Sequence, residues 1–375
     1  MTVIAVIGLG TMGLGIAQTY AAAGFQVLGT DSAAAARDSA PDRLRAALAP
    51  RVDNGKLSAA DRDALLARFR VVDDIAALAP AALVIEAALE QIQVKHDIFA
   101  RIEQVVAADA VLATNTSSLS VAEIARPLAR PERLLGLHFF NPAPVMKLVE
   151  LVAHAGTAPQ SLALARQVTE AAGKTVVDCP DRPGFIVNRC ARPYYGEALA
   201  MLHEGRNPAE IDAAMQAAGY RLGPFALIDL VGADINLAAT ESLAAAMAGH
   251  PRYHVFQALR QQVADGHLGR KTGRGFLFPD SPGPAPADAD RIALRIEAAL
   301  VNEAAWLLAE GGTTPGGIDT ALRLGLNFPR GPFQILAERG KGTIQAVLAA
   351  LAAQAPAELA GRYDPAPLLA ENGQP

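Results

Sequence analysis

Apolar and polar positions follow two different rhythms along this chain. From residue 1 to about 178, apolar runs of strand length alternate with stretches of helical period. The runs are Val3 to Ile7, Val27 to Asp31, Ala82 to Glu86, Ala110 to Asn115, Leu134 to Phe139, Lys147 to Val152 and Lys174 to Asp178. Such alternation predicts a mostly parallel sheet covered by helices on both faces, with ligands gathering at the C-terminal strand edge. At Asp181-Arg182-Pro183-Gly184-Phe185 the character changes. Beyond it, apolar residues at three- and four-residue steps in Ile186 to Leu202 and Ile211 to Ala218 predict helices. The segment from Pro279 to Pro286 is rich in proline and predicts an extended, exposed linker, after which helical periodicity returns. The expected division is a first domain over 1-180, a helical domain over 181-279, a linker over 280-289 and a second helical module over 290-375.

The last stretch repeats the middle one. Glu197 to Gly205 recurs as Glu303 to Gly311, Ile211-Asp212 as Ile318-Asp319, and Gly223-Pro224-Phe225 as Gly331-Pro332-Phe333, in the same order and with small insertions between them. Two related helical modules in tandem are expected to cover apolar faces of one another.

Bulk properties narrow the function. A chain of 375 residues is too long for one compact core and divides into domains. Its net charge of −5 provides no electrostatic footprint for nucleic acid, so an anionic ligand needs a local basic patch. Hydrophobic residues make up 51% and aromatic ones 5%, an excess of Ala and Leu that suits packed helices. No apolar run reaches membrane-spanning length, and no basic, apolar leader precedes the first strand. Only Cys179 and Cys190 occur, which suggests no disulfide framework, and a cytoplasmic protein is expected. The seven histidines fall in no metal-ligand pattern; Pro251 between His250 and His254 reads as a loop, and no metal site is expected.

The first strand leads directly into Gly8-Leu9-Gly10-Thr11-Met12-Gly13 and an apolar helix. This is the context a dinucleotide site requires: Gly8 bends the turn, Gly10 lets a pyrophosphate approach the backbone, and Gly13 seats the helix. The helix start near Thr11, Met12 and Gly13 turns free N–H groups and a positive dipole end to the phosphates. Asp31 closes the second strand about twenty residues further on, where it can accept hydrogen bonds from the adenine ribose or cap the following helix. An acid there repels a 2′-phosphate and favours NAD, and no cation follows until Arg37.

Four polar residues stand in apolar surroundings: Ser117 after the strand ending at Asn115, His138 at the end of another, Glu150 within Met146 to Val152, and Asn188 where the helical region begins. Singly, each has a structural role open to it, as a helix cap, a satisfied core histidine, a partner of Lys147 or Arg182, or a brace at the domain turn. Together they suit acid/base chemistry. A carboxylate beside an imidazole fixes its tautomer and steadies its cation, and Ser117 and Asn188 can donate hydrogen bonds to a reacting oxygen.

The strings Gly-Leu-Gly-Thr-Met-Gly, Asn-Thr-Ser-Ser-Leu-Ser, Gly-Leu-His-Phe-Phe-Asn-Pro-Ala-Pro-Val-Met-Lys-Leu-Val-Glu and Asp-Arg-Pro-Gly-Phe-Ile-Val-Asn-Arg resemble those of the L-3-hydroxyacyl-CoA dehydrogenases, 3-hydroxybutyryl-CoA dehydrogenases among them. The likeness extends to Gly269-Arg270-Lys271-Thr272-Gly273-Arg274-Gly275-Phe276. It implies an α/β Rossmann-type N-terminal domain followed by two tandem all-α modules of the 6-phosphogluconate-dehydrogenase-like kind. It implies that the catalytic histidine is His138 and its glutamate partner Glu150, with substrate contacts at Ser117 and Asn188. Glu90, Lys95 and Asn115 fall near the cofactor, with Glu90 and Lys95 on its nicotinamide side. The second module holds Leu294 where the first has Asn188, so a structural role is expected of it.

The implied reaction is the reversible, NAD-dependent oxidation of an L-3-hydroxyacyl-CoA to the 3-ketoacyl-CoA. Arg51 and Lys56 are candidates for the CoA phosphates, or they belong to a solvated helix face; the basic run after Gly269 is another candidate. Two-domain relatives dimerise through the helical domain, and the second module is positioned to replace that partner within one chain, as a monomer or a homodimer. Two other readings keep the fold: a dehydrogenase of a free hydroxy acid of the sugar-acid or carnitine type, and an NAD(H)-binding protein without turnover.

Overall fold

The computed structural model describes residues 2–370 and divides into two compact units, residues 1–182 and 183–375. Eight strands form one sheet in the first unit: β1 (Val3–Ile7), β2 (Gln26–Thr30), β3 (Phe69–Val71), β4 (Leu83–Glu86), β5 (Val111–Thr114), β6 (Leu134–Phe139), β7 (Leu148–Ala153) and β8 (Thr175–Pro180). Their order is β3-β2-β1-β4-β5-β6-β7-β8. Every neighbouring pair is parallel except β6 and β7. The order reverses between β1 and β4, which is the switch point where a doubly wound sheet opens a ligand crevice. The strands are continuous apolar runs because both faces are covered. The helices are α1 (Thr11–Ala22), α2 (Ala34–Asp53), α3 (Ala59–Arg68), α4 (Ile92–Glu103), α5 (Val121–Ala125) and α6 (Pro159–Ala171). Ile4, Val6, Ile16, Tyr20, Val27, Leu83, Ile85, Phe139 and Val149 lie in one buried cluster joining strands to helices.

The second unit is helical: α7 (Val187–Cys190), α8 (Arg192–His203), α9 (Pro208–Ala217), α10 (Pro224–Val231), α11 (Ala233–Ala246), α12 (Gln257–Ala264), α13 (Ala289–Ala309), α14 (Pro315–Leu326), α15 (Pro332–Arg339) and α16 (Lys341–Gln354). Residues 279–288 carry no helix or strand and are largely exposed, as proline content dictates. The long α13 is buried along most of its length, and Leu294 packs at the edge of a cluster with Ala298, Val301, Ile335 and Ile344. Among the described residues no helix is long and apolar enough to cross a membrane.

Contacts within this unit are reciprocal. Glu303 accepts from Arg189 Nε at 2.7 Å, Arg252 Nε at 3.0 Å and the Tyr253 hydroxyl at 2.5 Å. Glu197 accepts from Arg295 Nε at 2.9 Å, Arg362 Nε at 2.8 Å and the Tyr363 hydroxyl at 3.0 Å. Arg189 also clasps Glu310, and Arg295 clasps Glu204. Burial opposes the charge on Glu197, yet Arg362 and Arg295 hold its carboxyl below the ordinary value. Each half presents the same groups to the other, the pattern of an isologous two-fold contact. The halves also share a local device: Asp212 accepts the N–H groups of Phe225 and Ala226 at the start of α10, and Asp319 those of Phe333 and Gln334 at the start of α15.

Candidate active site

At the switch point the three motif glycines are constrained differently. Gly8 has φ +94°, and a Cβ there would meet the Ala87 carbonyl oxygen at 2.6 Å. A Cβ on Gly13 would lie 1.8 Å from the Gly8 oxygen, so a side chain at this position breaks the packing of α1 on the turn. A Cβ on Gly10 would meet nothing within 4 Å. Gly10 also caps α1 without a side-chain hydrogen bond, so the first turn of that helix, at Thr11, Met12 and Gly13, has no side-chain cap.

Asp31 follows β2 and spans the turn: its Oδ2 accepts the Leu9 N–H at 2.7 Å and its Oδ1 the Ala33 N–H at 2.9 Å. It therefore holds both the glycine turn and the approach to α2. Arg37, the first cation after it, donates to the Asp31 carbonyl at 2.7 Å and pairs with Asp73 at 3.2 Å.

The ends of β4 and β5 carry a chain of charges. Glu86, the last residue of β4, is fully buried. It accepts Lys95 Nζ on both carboxylate oxygens at 2.8 and 2.9 Å, the Thr114 hydroxyl at 2.7 Å and the Ala88 N–H at 2.7 Å. Lys95, 1% exposed on α4, reaches Glu90 Oε2 at 3.2 Å. Glu90 Oε1 in turn accepts the Thr116 hydroxyl at 2.6 Å, the Ser117 N–H at 2.9 Å and the Ser118 hydroxyl at 3.0 Å. Burial pushes the Glu90 carboxyl up, but the Thr116 hydroxyl, the Lys95 charge and the Ser117 and Ser118 donors prevail and hold it below the ordinary value. Glu90 and Lys95 thus shape the loop that carries Ser117. Asn115 accepts the Phe139 N–H at 2.9 Å and ties that loop to the end of β6.

His138 and Glu150 meet because β6 and β7 are antiparallel and place the two residues directly opposite one another. His138 Nδ1 and Glu150 Oε2 are 2.6 Å apart, with both residues buried. The Phe140 ring lies 4.5 Å from the imidazole, centroid to centroid. Lys174 secures the β6–β7 connection by donating to the Ala143 and Met146 carbonyls at 2.5 and 2.8 Å, and burial lowers its pKa.

Asn188 lies on α7 in the helical unit, where its carbonyl accepts Arg192 Nε at 2.9 Å. Arg51, in the last turn of α2, and Lys56, just past it, are exposed. Glu86 and Lys174 were not among the residues expected from sequence. Each sits inside an apolar run that reads as strand, and only a charged residue ending such a run hints at a buried partner.

Comparison with known proteins places this geometry. The model for the NAD binding domain of 3-hydroxyacyl-CoA dehydrogenase matches residues 3–182, and the model for the C-terminal domain matches residues 184–278 and again 292–373. The chain belongs to the 3-hydroxyacyl-CoA dehydrogenase family. Over 274 residues it is 47% identical to the 3-hydroxyadipyl-CoA dehydrogenase of Escherichia coli (strain K12), a match covering 72% of this chain and 58% of that protein. A crystal structure of 3-hydroxybutyryl-CoA dehydrogenase from Escherichia coli K12 superposes with a TM-score of 0.90 at 35% identity, covering 98% of this chain and 97% of that one. The (S)-3-hydroxybutyryl-CoA dehydrogenase of Ralstonia eutropha gives 0.71 at 37% identity over 74% of this chain and 98% of its own.

The first unit is this family's NAD-binding domain, so NAD is the cofactor and the chain is an oxidoreductase. The residues present fit that group. The open space at Gly10 beside the uncapped start of α1 accommodates a pyrophosphate, and an acid at the end of β2 suits an unphosphorylated ribose.

Proposed function

We propose that this member of the family carries out the reversible NAD-dependent oxidation of an L-3-hydroxyacyl-CoA to the 3-ketoacyl-CoA, with His138 as acid and base. The observation that carries this reading is the buried 2.6 Å contact between His138 Nδ1 and Glu150 Oε2. With Nδ1 committed to a carboxylate, the imidazole exchanges the 3-hydroxyl proton at Nε2, and Glu150 steadies the imidazolium that forms. Bound NAD supplies the hydride acceptor. Ser117, held by Glu90, donates a hydrogen bond to the reacting oxygen, and Asn188 contributes another from the helical unit. Gly8, Gly10, Thr11, Met12, Gly13 and Asp31 bind the adenosine and pyrophosphate portion. Glu90, Lys95 and Asn115 shape the opposite end, with Lys95 acting through Glu90.

Arg51 and Lys56 are proposed for the CoA phosphates, their exposure leaving both side chains within reach of a ligand. We assign the domain boundaries near 180, 279 and 290, and the module after the linker takes the place of a dimer partner. The reciprocal pairs of Glu197 and Glu303 support that arrangement. A cytoplasmic setting fits a chain with two cysteines in 375 residues.

NADH oxidation with acetoacetyl-CoA, compared with free acetoacetate, tests the substrate class. Turnover confined to the CoA ester supports it; turnover of the free acid alone replaces it with the hydroxy-acid reading, and NADH binding without turnover of either removes the catalytic reading.

A further inference from the structure

Four arginines of the described residues are buried: Arg133, Arg189, Arg192 and Arg362. Three of them face a carboxylate, Arg133 with Glu103 at 3.5 Å, Arg189 with Glu303 at 2.7 Å and Arg362 with Glu197 at 2.8 Å. Arg192 differs. It is 8% exposed, and among the described residues no acid lies within ion-pair distance of it. Its Nε donates to the Asn188 carbonyl at 2.9 Å, its Nη1 donates to the Thr240 hydroxyl at 3.0 Å, and its guanidinium sits 4.9 Å from the centroid of the Tyr195 ring. Nη2 makes no hydrogen bond. Burial pushes the guanidinium below the ordinary arginine value, with the nearby Tyr195 opposing that shift.

A buried cation without an anion is destabilising by several kcal/mol. Guanidinium is the group whose planar fork matches a carboxylate, and stacking on Tyr195 fixes that fork while leaving its edge available. The position sets a length. Arg192 lies four residues beyond Asn188, about 6 Å at 1.5 Å per helical residue. In an extended acyl chain with C–C bonds of about 1.5 Å, C6 lies about 4 Å from C3, so a carboxylate at C6 spans the interval with its own oxygens making up the rest.

We infer that the acyl chain of the substrate ends in a carboxylate and that Arg192 receives it, which makes the substrate a short ω-carboxy-3-hydroxyacyl-CoA. The inference rests on the reaction proposed above and on Asn188 as a contact to the reacting end.

The test compares kcat/KM for 3-hydroxyadipyl-CoA and 3-hydroxyhexanoyl-CoA, which differ in having a carboxylate or a methyl group at C6. The intact enzyme is expected to prefer the first by roughly a hundredfold, chiefly through KM. In Arg192→Leu the ratio collapses toward one, and in Arg192→Lys it falls partway. A ratio near one in the intact enzyme overturns the inference, as does a preference that Arg192→Leu leaves in place, the result expected if Arg192 only braces α8 on Thr240. If Arg192→Leu does not fold, the intact enzyme and Arg192→Lys decide. Oxidation of hexanoyl but not adipyl substrate removes the inference and keeps the reaction; oxidation of neither removes both.

Discussion

Lys95 donates to both carboxylate oxygens of Glu86, at 2.8 and 2.9 Å, with neither side chain reaching solvent. Breaking a buried pair on one side strands the other charge, at a cost of about 3–5 kcal/mol. Lys95→Met is expected to lower the unfolding free energy by that order. Adding Glu86→Gln to the same chain recovers part of the loss, because no unpaired charge remains. Urea unfolding of the single and double variants checks this, and strictly additive costs contradict it.

The glycine turn separates folding from binding. Gly13→Ala forces a Cβ to within 1.8 Å of the Gly8 oxygen and is expected to destabilise the first unit severely. Gly10→Ala adds its methyl group to open space, leaves the melting temperature near that of the parent and weakens NADH binding at least tenfold by occupying the phosphate approach. Thermal unfolding and fluorescence titration with NADH distinguish the two.

Burial raises the Asp212 carboxyl from 3.8 to about 7, against hydrogen bonds from the Ala226 and Phe225 N–H groups and with the help of Asp229. Folding therefore retains a proton that the unfolded chain releases. The stability tied to it is present at low pH and declines as pH rises from the carboxylate range through about 7. Chemical denaturation at about pH 5 and about pH 8 is expected to show a larger decline for the intact protein than for Asp212→Asn, which has no such proton to lose. Equal declines contradict it.

Much of this was legible in sequence, for identifiable reasons. Seven of the eight strands are apolar runs of ordinary length, and a sheet buried on both faces writes itself in that form. Phe69–Val71 escaped because three residues, one of them a charged arginine, give no periodicity. His138 and Glu150 were nameable as isolated polar residues in apolar strands. Their opposition depends on β7 running antiparallel to its neighbour, a matter of register that one strand's sequence does not contain. Glu86 was absorbed into its strand, and Lys95 read as a cofactor contact although its ammonium is surrounded by Glu86 and Glu90. The repeat was visible as matching strings, but its reciprocity emerges only once Arg252 and Tyr253 are seen on Glu303 where Arg362 and Tyr363 meet Glu197.

That reciprocity predicts a quaternary state. With the isologous face already filled inside one chain, sedimentation equilibrium is expected to return the mass of a single chain at micromolar concentration. Glu197→Gln and Glu303→Gln are expected to destabilise to a similar degree, since each leaves two arginines facing a neutral group. A stable dimer formed through residues 184–278 contradicts the arrangement.

The central claim concerns His138. Steady-state rates with acetoacetyl-CoA and NADH for the intact enzyme and His138→Ala, alongside NADH affinity for both, test it most directly. The account predicts that kcat falls roughly a thousandfold while NADH affinity changes little. A variant that retains more than a tenth of the rate contradicts His138 as the acid and base.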